Sequence, residues 1–413
     1  MAIIKPFRAL RPAAELASRV AALPYDVMNT VEAREMAADN PYSFLHVSRA
    51  EIDLPVGTDV HSPIVYNRAA ENFQTFIKNG TLKQDDKPCL YVYAQTMDGR
   101  RQVGLVACSS VEDYFNDVIK KHEFTRPEKE QDRIEHMEAV KAHVGPIFLT
   151  YTPNTTVKTV ISKIISAEPV NDFTSEDGIH HSLWVVDSVN DVQTICTAFQ
   201  NEIPCTYIAD GHHRAASAAK VGKKLQAQNP SHTGNEEYNF FLSVLFPADE
   251  LAIMDYNRVV KDLNGLDKNS LLEKLSEKFT LAPIDSDKAK PAQLHDFGMY
   301  LDGQWYRLTA KNDSYTNDPI GILDVTILQN NALTPLLGIV DQRTDKRIDF
   351  VGGIRGLKQL AKRVDSGEMA VAFALYPVSL RQLMDIADSG NVMPPKSTWF
   401  EPKLRDGLVS HLF

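Results

Sequence analysis

Between residues 147 and 208 the sequence alternates β-prone with helix-periodic runs: strand-like at 147–151, 182–186 and 205–208, helix-like at 157–167 and 192–200. A chain with this alternation folds as helices layered on a sheet, an α/β or mixed α+β arrangement. The run ends in Asp210-Gly211-His212-His213-Arg214, followed at once by Ala215-Ala216-Ser217-Ala218-Ala219. The spacing therefore predicts a strand-to-helix turn at the Asp-Gly pair.

Such a turn presents the free N–H groups of the first helical turn and the positive end of the helix dipole. Gly211 lets backbone approach a ligand with no Cβ in the way. Arg214 brings a planar fork suited to phosphate oxygens, and His212 and His213 bring donors whose charge changes near neutral pH. Asp210 can cap the helix, hold Mg²⁺ or accept a proton. The same residues also suit an ordinary cap with two surface histidines beside it.

Asp-Gly-His-His-Arg between a strand and a small-residue helix resembles the signature of free serine kinases in the ParB/sulfiredoxin superfamily, whose members use this loop against nucleotide phosphates. A wider resemblance rests on Pro24-Tyr25-Asp26-Val27, Asn40-Pro41-Tyr42-Ser43-Phe44-Leu45, His122-Glu123-Phe124-Thr125 and the run from Met393 to Lys403. These motifs, in this order, are similar to a bacterial family long filed under unknown function, some of whose members are regarded as pyrophosphate-dependent serine kinases. The resemblance implies a ParB/sulfiredoxin-like core with a second α+β domain.

Composition excludes more than it assigns. At 413 residues, 43% hydrophobic and 24% charged, the chain can bury a sizeable core and is expected to form two domains. The boundaries expected are 1–262 for the catalytic domain, 263–390 for the second domain and 391–413 for a tail folding back near the site. A net charge of −10 disfavours a general nucleic-acid surface, while leaving room for a locally positive anion site. With no apolar stretch of membrane-spanning length and no signal-peptide pattern, the cytoplasm is the expected location. Cys89, Cys108, Cys196 and Cys205 are widely spaced, which argues against a zinc ribbon or a disulfide scaffold.

Further candidates lie along the chain. Residues 43–47 read as a strand running into Arg49, Glu51 and Asp53, which in extended form share one side. Arg49 could bind phosphate beside Glu51 as a proton acceptor, with Asp53 and Asp26 as alternative bases; a solvated strand face is the competing reading. His122 and Glu123, in a locally basic segment, could form an acid–base pair or bind the substrate's amino and carboxyl groups. The charged run 128–138 reads mostly as a solvated helix face. Arg258, inside an apolar run, must bridge a carboxylate or meet a ligand anion. Lys396, Ser397 and Thr398, held extended by nearby prolines, suit an anionic group, as does Lys403.

The resemblance implies transfer of a phosphoryl group to the hydroxyl of free L-serine, giving O-phospho-L-serine, with pyrophosphate, ADP or ATP as donor and Mg²⁺, on Asp210, neutralising charge. Asp210, His213 and Glu51 are the expected catalytic residues. Gly211, His212, Arg214 and Arg49 would bind phosphate. The acceptor would meet His122, Glu123, Arg258 and residues 396–398. No nucleic acid or membrane partner is expected, and oligomeric state is not written in the sequence. The competing functions are a phosphoserine phosphatase and a nucleotide-binding regulator of ParB type without turnover.

Overall fold

A computed structural model describes residues 1–413. The chain divides into two compact units, Met1–Leu251 with Pro402–Phe413, and Ala252–Glu401. Set beside the sequence-based boundaries, Tyr256–Val260 pairs within the second unit's sheet, and the last twelve residues lie with the first unit. The fold is mixed α/β.

The first unit is built on a nine-stranded mixed sheet. Ile119–Lys120 runs parallel to Thr206–Asp210, which is antiparallel to Ile147–Tyr151. Phe240–Pro247 continues parallel to Ile147–Tyr151, Arg100–Ser110, Leu90–Met97, His180–Val186 and Asn171–Thr174 follow in antiparallel steps, and Ile4–Lys5 pairs antiparallel with Arg100–Ser110 as the ninth strand. Leu90–Met97 and Arg100–Ser110 form a hairpin whose turn, Asp98-Gly99, holds both residues at positive φ, as a tight hairpin turn requires. Leu105, Leu149, Ile195, Phe199, Ile208 and Phe241 are fully buried in one core on this sheet. A second core, among the N-terminal helices, packs Phe44 edge-on against Phe73 and Phe76. Each such ring contributes about 2–3 kcal/mol by burial.

Two expectations are corrected here. Residues 43–47 are not a strand: Leu45–Ser48 is a helical turn and Ala50–Asp53 a 3₁₀ turn. The Arg34 guanidinium holds the second of these turns, donating to the carbonyls of Glu51 at 2.8 Å and Leu54 at 2.6 Å, and also to that of Ile52. Arg49, Glu51 and Asp53 therefore do not share one side; Glu51 is buried, whereas Asp53 bonds His46 and Asn72 near the surface. Nor is the helix Pro127–Val140 solvated along its charged face. It lies between helices Pro63–Lys78 and His212–Gln228, and Glu130, Asp132 and His136 are buried with partners on its neighbours.

The second unit carries a six-stranded sheet in the order Phe279–Ile284, Gln304–Ala310, Asp296–Leu301, Val371–Ala374, Tyr256–Val260, Ile348–Gly352, with neighbours antiparallel. Phe279, Phe297, Leu328 and Phe373 fill its core. No helix in the structure is long and apolar enough to cross a membrane.

Candidate functional site

The strand Thr206–Asp210 passes into the helix His212–Gln228 through Gly211, as the sequence spacing predicts. Register slips between Ile208 and Asp210, a bulge that re-aims the last strand residue. Gly211 has φ +94°, and a Cβ there would stand 3.1 Å from Arg214 Nε, so the turn demands glycine twice over. The helix that follows is 17 residues long, enough for a full terminal dipole.

Asp210 is gripped from two sides. Lys403 Nζ lies 3.1 Å from Asp210 Oδ2 and the Arg214 guanidinium 3.9 Å from the same oxygen. Asp210 Oδ1 accepts the Gly211 N–H at 2.8 Å. Burial by itself would raise the Asp210 carboxyl, but Lys403, Arg214 and His212 outweigh it and hold the group well below the usual carboxylate range. It is a fixed anion at neutral pH.

Arg214 is buried, and one terminal nitrogen donates to the Pro146 carbonyl at 2.6 Å while its Nε has no hydrogen-bond partner. The His212 ring meets the His122 ring edge-on, with centroids 4.5 Å apart. His122 is 1% exposed, and neither of its ring nitrogens has a partner; His212 Nε2 has none either. Burial lowers both histidines, His122 to about 4, so both are neutral at pH 7. His212 Nδ1 lies 3.8 Å from Glu123. His213 Nε2 accepts the Arg126 N–H at 3.0 Å, so segment 122–126 is tied to the first turn of the helix at both ends.

Arg49 and Glu51 are together in the first unit: Arg49 Nε lies 3.0 Å from Glu51 Oε1, an ion-pair distance without hydrogen-bond alignment, and Thr30 bridges the two side chains. The remaining candidates belong to the second unit. Arg258 is fully buried but bridges no carboxylate; it donates to the carbonyls of Tyr256 and Pro395 and to Gln342, and stacks over Phe350. Burial lowers it to about 10. Ser397 Oγ donates to the Pro394 carbonyl at 2.6 Å, Lys396 Nζ lies 5.8 Å from the Tyr256 ring centroid, and Thr398 is half-buried.

The sequence reading did not single out Asp406. It is 2% exposed, near Arg214, Arg133 and Asp26; burial pushes its carboxyl up to about 7, against the pull of Arg214. A charged Arg405-Asp406 pair set between Leu404 and Leu408 was the available signal, since isolated charges in an apolar run need buried partners.

No cluster of three or more His, Cys, Asp or Glu side chains is arranged to hold a metal. Asp210 is a lone carboxylate already ion-paired with Lys403. Mg²⁺ is commonly held by one or two carboxylates plus substrate phosphates, so these residues fit an ion that arrives with a polyphosphate and not a cation held by protein alone.

No curated protein matches the sequence. Solved structures that match include a free serine kinase in complex with AMP, at 14% identity over 69% of this chain and 84% of that one, with a TM-score of 0.35. A conserved hypothetical protein from Pyrococcus furiosus matches at 18% identity, 70% and 90% coverage and a TM-score of 0.35. C-terminally truncated SbnI from Staphylococcus aureus matches at 11% identity, 73% and 85% coverage and a TM-score of 0.36. The family model described as "Protein of unknown function (DUF1015)" matches residues 4–326, about three quarters of the sequence, and the chain belongs to that family.

Proposed function

We propose that the protein is a small-molecule phosphotransferase of ParB/sulfiredoxin type that moves a phosphoryl group from a diphosphate-containing donor to the hydroxyl of free L-serine. One observation carries this reading. At the start of a 17-residue helix, Arg214 Nε, His212 Nε2 and both His122 ring nitrogens are buried without partners, beside a glycine at positive φ. Buried polar groups in native proteins are bonded, and a phosphate at the helix terminus satisfies the Arg214 Nε donor and the one N–H that each neutral imidazole carries.

In this reading the helix N–H groups, Arg214 and His212 hold the transferring phosphate. The serine hydroxyl oxygen attacks the terminal phosphorus, the bridging P–O bond breaks, and the leaving phosphate or nucleotide keeps the bond pair. Glu51 takes the hydroxyl proton. Asp210 is too firmly held as an anion by Lys403 and Arg214 to be an effective proton acceptor, and its role is to orient Arg214. His213, bonded to the Arg126 N–H, fixes segment 122–126 and is a positioning residue. A Mg²⁺ brought with the donor would meet Asp210 and supply charge neutralisation.

The test is phosphoserine formation by purified protein with L-serine and Mg²⁺, in parallel with pyrophosphate, ADP, ATP and no donor, and with an Asp210→Ala control. Product from one donor, lost in the control, supports the reading and names the donor. No product from any donor overturns it.

A further inference from the structure

Arg214 and Asp406 border one small cavity of about 20 Å³, with Tyr25, Arg133 and Gly145 also in its wall. Two consecutive residues connect them. The Pro146 carbonyl accepts from an Arg214 terminal nitrogen at 2.6 Å, and a Cβ added at Gly145 would stand 3.0 Å from Asp406 Oδ1. The same guanidinium reaches the helix terminus at Gly211, where an added Cβ would stand 3.1 Å from its Nε. Arg214 thus spans the distance between the anion site and the Asp406 cavity.

The Asp406 backbone is pinned by reciprocal bonds with Ala22, at 2.9 Å and 3.1 Å, and the residue is 2% exposed. Its Oδ1 has no hydrogen-bond partner. A buried carboxylate in this position needs a cation or a proton. Three arginines act on it, Arg214, Arg133 and Arg405, and two of these are already committed: Arg133 lies 2.7 Å from Asp132, and Arg405 pairs with Asp177. Arg214 is less firmly engaged. Its listed carboxylate partner, Asp210, is 3.9 Å away and has Lys403 closer, at 3.1 Å, while Asp26 is exposed, where water screens it. Asp406 and Arg214 are left to balance each other across the cavity.

A phosphate-type anion at the helix terminus changes this balance. It gives Arg214 a partner of its own and adds negative charge nearby, and both effects disfavour the Asp406 carboxylate. Burial already pushes that carboxyl up to about 7, against the pull of Arg214, so little more is needed at neutral pH. The other titratable groups around the cavity do not take the proton: burial pushes the Tyr25 hydroxyl up to about 12, lowers His136 to about 4 and holds His143 well below its usual range.

We infer that Asp406 is the internal counter-ion of Arg214, and that an anion bound at the helix terminus replaces it, with Asp406 taking one proton from solvent as the anion enters. The site thereby binds an anion and a proton together and releases them together. The inference rests on the phosphate site of the phosphotransferase reading and is independent of the acceptor.

The test is calorimetric titration of the full chain with sulfate at pH 7.5 in buffers of different ionisation enthalpy, which counts protons taken up per anion. The parent should take up roughly 0.5–0.8 proton, because a carboxyl with its midpoint near pH 7 is mostly ionised before binding. Asp406→Asn should bind sulfate with less than about 0.2 proton, and at pH 8 about 10-fold more tightly than the parent, the two converging toward pH 6. A gain in affinity is not what structural damage produces. As a measurement on the unaltered protein, difference infrared spectroscopy at pH 7.5 should show sulfate bringing up the carbonyl band of a protonated carboxyl group. Sulfate binding without proton uptake, uptake unchanged in folded Asp406→Asn, or absence of that band would each overturn the inference. Failure of sulfate to bind overturns it together with the anion site. Proton uptake lost in Asp406→Asn, with no donor yielding phosphoserine, supports the inference and sinks the transfer reaction alone.

Discussion

Lys403 Nζ stands 3.1 Å from Asp210 Oδ2, so a residue near the end of the sequence neutralises the carboxylate at the tip of a central strand. The pair is largely shielded from water, with side-chain exposures of 11% and 30%. Lys403→Met removes the nearer cation and leaves Asp210 with the Arg214 guanidinium at 3.9 Å and the Gly211 N–H, at a cost of about 1–3 kcal/mol. Urea unfolding monitored at pH 7 should show this loss. Because the lysine holds Asp210 below its ordinary range, the difference between variant and parent should shrink as pH falls through the parent's low Asp210 value.

Gly211→Ala should damage the anion site directly. The residue sits at φ +94°, and the added Cβ would meet the Arg214 guanidinium within about 3.1–3.3 Å. The expected loss of stability is about 1–2 kcal/mol from the backbone alone. Pyrophosphate affinity should fall as well, because the arginine must move. Calorimetric titration of the folded variant checks this; unchanged affinity would show that Arg214 does not face the anion.

The second unit offers a separate pH prediction through Asp324. Burial pushes its carboxyl up to about 7; one oxygen accepts the His295 N–H at 2.9 Å and the other has no partner. The folded state keeps this proton to about pH 7, whereas the unfolded chain releases it near pH 4. The group's contribution is thus whole below pH 4, declines as pH rises and is lost above pH 7. Asp324→Asn removes the decline. A stability gain on the order of 2–4 kcal/mol at pH 8, with little change at pH 4, is expected from chemical unfolding of the two proteins.

His122 should report the ligand. Its ring is neutral above about pH 4 because burial lowers it. An anion placed against it would raise it and draw in a proton, so affinity should increase as pH falls from 8 toward 5. Sulfate is the suitable probe, since it keeps one charge state across this range. His122→Phe should bind sulfate with a shallower pH profile, His212 remaining to take up a proton; a profile identical to the parent's would remove His122 from the site.

The strand, turn and helix around Asp210 were legible because each step has a local cause: β-prone residues, a glycine that alone tolerates the turn, and small residues that favour a helix. What the sequence could not show was set by distant partners. The side chain of Arg34 holds residues 50–53 in a 3₁₀ turn, and helices on two sides bury Glu130, Asp132 and His136 of the charged run while Glu128 and Lys129 stay exposed. The ion pair of Asp132 with Arg133 reads in one dimension as two more charges on a solvated helix.

The first unit is assembled from residues 1–251 and 402–413, with His411–Leu412 paired to Ala142–His143 and Asp406 bridged to Ala22. During synthesis a ribosome must therefore produce all of residues 252–401 before the nearer of Asp210's two counter-ions, Lys403, exists. The loop at Gly211 can form early, but its charge balance waits for nearly the whole chain. A nascent polypeptide halted before residue 403 would carry the turn, the glycine and the helix while lacking the lysine that tames their carboxylate. Competence at this site is in that sense a late event in the life of each molecule, ordered by the route of the backbone.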